Sequence, residues 1–453
     1  MSLSEDISAL LTADQVSVHP DQLAVVSKDE STLPGVTPLA VIWAESTEDI
    51  QKVVRYCYEQ DIPITTRGAG SALEGSTIPS EHAIVLDLSK MTSVLEFWED
   101  DLQVKVQPGI IYDNLNNNLK QYGLFFPPSP GGSGDIASVG GMVSTNASGI
   151  YSVKYGGTKE YILELEIIDG TGKLYKIGNR AVKRSSGYNL VELICGSEGT
   201  LGIIASITLK LSGLPEGTLK TAYKFENELN AAKAVSEICK YGIDVAAIEF
   251  LDKKVMEALN KLKDYGLDET PALFLEFHGS TETVNSNKEL AGSICEELGG
   301  LEFELKSEQN PWEIRHYITD SIKYRKPGYT IIRNDVAFPI SRLPDMVEYC
   351  YKLSADNDIM IHTFGHVGLG LLHALILADQ SNISEWTKAL HVNDEIIKKA
   401  VEFEGTISGE HGIGLGHKNL FELEHKNSVE LMRKIKSQFD PKNILNPSKI
   451  FDL

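Results

Sequence analysis

The chain has 453 residues, 42% hydrophobic and 23% charged, enough to bury a sizeable core and to form two or three domains. Lys plus Arg number 42 and Asp plus Glu 64, a formal net charge of −22, so the surface field repels phosphate polymers and nucleic acid is excluded as an expected partner. The five cysteines (Cys57, Cys195, Cys239, Cys295, Cys350) are scattered with no CxxC pair, which points to reduced thiols and away from iron–sulfur ligation, and no apolar run approaches the roughly 20 residues of a spanning helix.

In chain order, MSLSEDISALL (1–11) lacks the basic flank of a signal peptide, so a cytoplasmic protein is expected, with contact at a membrane periphery left open. PLAVIWA (38–44) is a β-rich run, STEDIQKVVRYCYEQ (46–60) carries a helix N-cap and helical apolar spacing, and IPITT (62–66) returns to strand, giving a β-α-β unit. HAIVLDL (82–88) is apolar enough for a buried strand. LQVKVQPG, ILELEIIDG, GKLYKIG and GIIASITLKL follow as β-rich segments, with a helix candidate at IYDNLNNNLKQYG and long Gly/Ser loops between them. The composition shifts near LSGLPEG (211–217), where a domain boundary is expected. Beyond it, helices such as ELNAAKAVSEICKYG alternate with strands at DVAAIEFL, PALFLEFHG, DVAFP and IMIHTFGH, as in an α/β sandwich with one sheet. VELMRKIKSQF reads as a helix ending near Asp440-Pro441, before an irregular tail.

Three glycine loops stand out. RGAGSALEGS (67–76) follows a strand, and Gly68, Gly70 and Gly75 allow several backbone N–H groups to face one anion. Ser76 stands where a nucleotide-triphosphatase loop requires Lys, so an ATPase is excluded. PPSPGGSGDIASVGGMVSTNASG (127–149) is long and rich in Gly and Ser, and CGSEGTLGII (195–204) brings two more glycines before a β-rich run. Each alone also suits a tight connection; together, with no Ser-His or Cys-His pairing to compete, they favour an extended dinucleotide such as FAD.

In HTFGHVGLGLLHALI the glycines argue against a helix and for a hairpin. With Leu369 and Gly370 as a two-residue turn, His366 would lie opposite His373 and both imidazoles would reach one ion. Glu410 in ISGEHGIGLGHKN adds a carboxylate, and His411 beside it an acid–base group, although solvated or core histidines are the plainer reading of the spacing alone. Arg315 and Arg333 are guanidinium forks suited to a small carboxylate, although surface ion pairing is the plainer reading of each.

Taken in order, IPITTRGAGSALEGS, PPSPGG with SVGGMVSTNASG, VKYGG, SGYNLVELICGSEGTLGII, GHVGLGLLH, SGEHGIG and NPSKIF resemble the FAD-linked oxidases of the vanillyl-alcohol oxidase type. Within that family they are similar to the D-lactate, glycolate and D-2-hydroxyglutarate dehydrogenase branch, over nearly the whole chain. The resemblance implies an α+β fold: a two-part FAD-binding domain over residues 1–215, closed by a C-terminal segment, 421–453, and an α/β sandwich substrate (cap) domain with a mainly antiparallel sheet over 216–420. It implies noncovalent FAD, held by Arg67, Gly68, Ala69, Gly70, Ser71 and Ala72, by Pro128, Ser138, Gly140, Gly141, Asn146, Ser148 and Gly149, by Glu198, Gly199, Gly202 and Ile204, and by Asn446 from the tail. One divalent ion, Zn or Mn, falls to His366, His373 and Glu410, the general base to His411, and the substrate carboxylate to Arg315, Thr319 and Arg333.

The implied activity is oxidation of a D-2-hydroxy acid, D-lactate or glycolate like, to the 2-oxo acid with hydride transfer to the flavin. The sequence departs from the branch pattern GHxGDGNxH, with Leu369 and Leu371 in place of Asp and Asn, and Leu375 stands where the 2-hydroxyglutarate branch has Asn, which favours a monocarboxylate. Two alternatives stay open: a flavin-binding subunit without catalysis of its own, and a related flavoenzyme that acts on an alcohol without a metal. The electron acceptor leaves no motif, and a homodimer and a subunit of an oxidase complex are both compatible assemblies.

Overall fold

The protein is described here by a computed structural model covering residues 7, 10–303 and 311–453. Two compact units divide the chain. The first takes the described residues up to Gly149, Gly157–Leu214 and Glu410–Leu453; the second takes Ile150–Gly156 and the described residues of Pro215–Gly409.

The first unit contains two principal sheets. Strands β1 (Val16–Ser17), β2 (Val41–Trp43), β3 (Ile64–Arg67) and β4 (Ile84–Asp87) form a four-stranded sheet in the order β1-β2-β4-β3, with β4 parallel to both neighbours. Helix α1 (Thr47–Gln60) makes the crossover from β2 to β3. Its start is written locally: Ser46 accepts from the Asp49 N–H at 3.2 Å while Asp49 accepts from the Ser46 N–H, a reciprocal capping box. Ile50, Val53, Val54 and Cys57 at helical spacing then bury against Ile42, Ile64, Ile84 and Leu86, and burial pushes the Cys57 thiol up to about 12. All five cysteines are free thiols.

Strands β5 (Val94–Trp98), β6 (Gln103–Val106), β7 (Ile162–Ile168), β8 (Leu174–Gly178) and β9 (Ile203–Lys210) make an antiparallel sheet in the order β5-β6-β9-β7-β8. Between these strands lie α2 (Tyr112–Leu119) and the short α3 (Val139–Thr145). The C-terminal tail belongs to this unit: Leu445 bridges Ile64 in parallel, and the Asn446 N–H donates to Ile64 O at 2.7 Å.

The second unit is built on one seven-stranded sheet, antiparallel throughout. Its strands are β10 (Gly217–Lys224), β11 (Ala247–Leu251), β12 (Ala272–Gly279), β13 (Leu301–Glu302), β14 (Thr330–Ala337), β15 (Met360–Gly365) and β16 (Leu371–Ala378), in the order β13-β10-β12-β11-β15-β16-β14. On one face α4 (Lys253–Leu262) and α5 (Ile318–Arg325) bury apolar side chains with Leu251, Phe274, Leu375 and Leu377. The opposite face carries Asn334, whose Nδ2 donates to Asn393 Oδ1 at 2.9 Å from α6 (Ile383–Glu402). Helices on both faces make this unit an α/β sandwich with an antiparallel sheet. No described helix is long and apolar enough to cross a membrane.

Candidate active site

The predicted cofactor residues gather in the first unit because its loops are stitched to one another. β3 ends at Arg67, whose buried guanidinium donates from Nη1 to Lys28 O at 2.9 Å, and burial pulls its pKa down. Gly70 has φ +74°, and a Cβ there would lie 1.9 Å from Arg67 Nη2; a Cβ at Gly149 would lie 1.9 Å from Ser129 O. These positions need glycine for want of space. A Cβ at Gly68 would meet Ser138 Oγ at 2.3 Å, and Ser138 caps α3 by accepting from the Gly141 N–H at 3.3 Å, so the first two loops abut. Gly140 lies against Pro108.

The third loop joins them through the Glu198 N–H, which donates to Ser144 O at 2.8 Å. Asn446 Nδ2 closes the set by donating to Ser76 O at 3.0 Å and Glu198 O at 2.7 Å. Asn146, Glu198 and Asn446 have φ of 54°, 49° and 42°, a left-handed conformation that non-glycine residues seldom adopt and that marks constrained sites. Ala72 O accepts from the Glu30 N–H, and Ile204 is buried in β9 opposite Ile167. The buried atoms Thr77 Oγ1, Ser80 Oγ and Asn446 Oδ1 have no hydrogen-bond partner in this loop cluster, polar capacity of the kind a dinucleotide would use. The donor set and the glycine cradle fit FAD.

Glu410 and His411 begin an irregular turn in the same unit. Ser148 Oγ donates to Glu410 Oε2 at 3.4 Å, Glu410 Oε1 lies 3.7 Å from His411 Nε2, and Glu74 Oε1 lies 4.0 Å from His411 Nδ1. Glu74 Oε2 is 3.3 Å from His417 Nε2. The buried Glu198 carboxylate accepts from the Ile413 N–H at 2.7 Å and the Gly414 N–H at 2.9 Å.

The second unit supplies the other predicted residues from its sheet, from the turn after one strand and from a helical segment. Glu249 on β11 is wholly buried; its Oε1 is bonded to His366 Nδ1 and its Oε2 accepts from Arg315 Nε at 2.9 Å. Burial alone would raise this carboxyl, but the Arg315 charge and the His366 bond outweigh it and hold the pKa near 2. His373 on β16 pairs with Asp335 on β14, with Nδ1 3.7 Å from Asp335 Oδ1; Ser408 Oγ donates to Asp335 Oδ2 at 3.1 Å. Arg333 lies two residues from Asp335 on the same face, and the half-buried Thr319 sits in the first turn of α5, four residues after Arg315.

One expectation is corrected. Leu369 and Gly370 do not form a two-residue turn, and His366 is not opposite His373. Residues Val367–Leu369 make a 3₁₀ turn, and it is Phe364 that pairs with His373. A two-residue hairpin turn of type I′ needs positive φ at both central positions, whereas only Gly370 of this pair has it, at 73°. The imidazoles still meet, with ring centroids 5.4 Å apart and planes at 90°. His366 Nδ1 is bonded to the buried Glu249, the arrangement that orients Nε2 toward a metal, whereas His373 Nδ1 lies 3.7 Å from Asp335 Oδ1, beyond hydrogen-bond reach.

Residues 38–178 match the family described as "FAD binding domain" and residues 215–450 the family described as "FAD linked oxidases, C-terminal domain". The chain belongs to the FAD-linked oxidase family. Proteins similar to this FAD-linked oxidase include the probable mitochondrial D-lactate dehydrogenase of Danio rerio, 34% identical over 94% of this chain and 87% of that protein. Glycolate oxidase subunit GlcD of Bacillus subtilis is 35% identical over 91% of this chain and 89% of that one. Among solved structures, 4-ethylphenol oxidase from Gulosibacter chungangensis superposes with a TM-score of 0.83 at 18% identity, covering 99% of this chain and 97% of its own. That likeness shows the fold, which is of the vanillyl-alcohol oxidase type.

Three acidic residues of this FAD-linked oxidase escaped the sequence reading: Glu249, Asp335 and Glu74. The first two carried a faint signal, an ionisable group inside an apolar strand run (DVAAIEFL, IIRNDVAF), since a charge placed there demands a buried partner. Glu74 lies within a loop whose signal is its glycines and Ser76.

Proposed function

We propose that this flavoprotein oxidises a D-2-hydroxy acid of the D-lactate or glycolate kind to the 2-oxo acid. The observation that carries the reading is the pair of buried imidazole–carboxylate contacts, His366 with Glu249 and His373 with Asp335, beside Arg333 on its strand and Arg315, whose helical turn sets its guanidinium on Glu249. The relatives named as D-lactate dehydrogenase and glycolate oxidase subunit support the same substrate class.

Bound FAD supplies the hydride acceptor, and a bound divalent ion supplies Lewis acidity at the C2 hydroxyl. His366, His373 and Glu410 are the proposed ligands, with Asp335 a further oxygen donor beside His373. His411 takes the hydroxyl proton. Arg315, Thr319 and Arg333 hold the substrate carboxylate, and the bond from Arg315 Nε to Glu249 fixes the guanidinium fork. Leu375, buried opposite Arg333, offers no partner to a second carboxylate and favours a monocarboxylic substrate.

Anaerobic titration of the FAD-loaded protein with D- and L-hydroxy acids tests this: D-lactate should bleach the flavin absorbance, and an oxidised flavin after every acid rejects the reaction class. His411→Ala should slow reduction by about 10²–10⁴-fold with FAD retained. Near-normal reduction removes His411 from the mechanism. Activity should fall on chelation and return with Zn or Mn. Leu369 and Leu371 favour a second reading, a flavin-binding subunit without catalysis of its own, which full turnover with an artificial acceptor and no partner protein would dismiss.

A further inference from the structure

Resting on the reading above, we propose that Glu198 is a positioning residue that holds the His411 turn in its working conformation, so that a loop expected to serve the flavin also sets the geometry of the base. The stretch from Glu410 to His417 has neither helix nor strand to hold it. Gly412 and Gly414, with φ of +84° and +49°, give it unusual backbone freedom. Its shape is imposed from outside. The Ile413 and Gly414 N–H groups, successive along the chain, donate to the two oxygens of one carboxylate, Glu198 Oε1 at 2.7 Å and Oε2 at 2.9 Å. A Cβ at Gly412 would lie 2.8 Å from Glu198 Oε1, so the backbone wraps closely around that side chain.

Glu198 is itself anchored. Its N–H is bound to Ser144 O and its carbonyl accepts from Asn446 Nδ2, while the residue is only 5% exposed. Beyond Gly414, the Leu415 and Gly416 N–H groups donate to Glu74 O at 2.7 and 2.9 Å, which fastens the far end of the turn. An ionised carboxylate has two acceptor atoms and no donor, so it can take both N–H groups at once, whereas an amide side chain would point an N–H at one of the two backbone N–H groups. Removal of the carboxylate therefore orphans two adjacent amides one and two residues after Gly412 and frees the glycine-rich turn that carries His411.

The test pairs a kinetic with a structural readout on the FAD-loaded full chain. In Glu198→Ala, amide hydrogen exchange at Ile413 and Gly414 should accelerate, and the saturating rate of flavin reduction by D-lactate should fall by about 10²-fold, the scale of an ångström's misplacement, with little change in KM. Glu198→Gln keeps one acceptor and should restore part of the rate while protecting one amide; it carries the test if the alanine variant does not fold. Unchanged exchange at both amides in the variants overturns the proposal, as does a full reduction rate despite faster exchange. A wild-type flavin that no hydroxy acid reduces rejects the hydroxy-acid reading instead, and the exchange data then decide the clamp.

Discussion

Among the buried carboxylates, Glu249 of the second unit and Glu198 of the first are held by opposite means. In the second unit Glu249 faces Arg315 and His366, and those partners hold its pKa near 2 against the effect of burial. In the first unit burial raises Glu198 to about 7, because its closest partners are the Ile413 and Gly414 amide dipoles, which offset only part of the lost hydration. Equal burial thus gives opposite shifts, and the partner decides the sign. Glu249 stays an anion across the working range and is a fixed negative pole for an imidazole and a guanidinium. Glu198 sits near its ionisation threshold and works through geometry.

The comparison breaks most readily at Glu249. Glu249→Ala leaves Arg315 and His366 buried without their carboxylate and should cost about 3–5 kcal/mol, read as a lower urea midpoint. A loss under about 1 kcal/mol would mean that the pair is solvated rather than buried.

The pH dependence of stability sharpens the contrast, since the two shifts have opposite signs. Glu249 contributes stability that is present above its ordinary value of 4.5 and lost as pH falls from there through 2. Glu198, raised from 4.5 to about 7, binds a proton in the folded state that the unfolded chain has released, so its contribution declines as pH rises across that window, by roughly 3 kcal/mol. Urea denaturation at pH 5 and pH 8 should show a smaller loss of stability in Glu198→Gln than in wild type; equal losses would place the titration elsewhere.

The smallest expected effect lies at Asn446. Asn446→Ala leaves Ser76 O and Glu198 O without a donor and should cost about 1–3 kcal/mol, with weaker FAD retention measured by flavin fluorescence on dilution. Unchanged retention would separate the tail from the cofactor loops.

Much of the first unit was legible before folding. The α1 capping box, its apolar spacing and the buried run at 84–87 are local signals, and two of the glycine loops could be read because a Cβ would meet the Arg67 guanidinium at Gly70 and the Ser129 carbonyl at Gly149. The second unit's site was only half legible. Its histidines and arginines were visible, but the partners were not: Glu249 lies 66 residues from Arg315 and 117 from His366, and each pairing exists only once the strands take their register. The hairpin failed for a related reason. A register counted from two imidazoles presumed a turn that Leu369 cannot make, whereas the 3₁₀ turn moves Phe364 opposite His373.

By itself, then, the sequence determined which segments become strands and helices, where the backbone must run without side chains, and which residue types are available for the chemistry. Tertiary structure alone decided which carboxylate faces which imidazole, and whether a buried acid stays charged. The physical reason is that periodicity and steric permission act over a few neighbouring residues, whereas desolvation and Coulomb interaction depend on groups that only the folded chain brings within a few ångströms of one another.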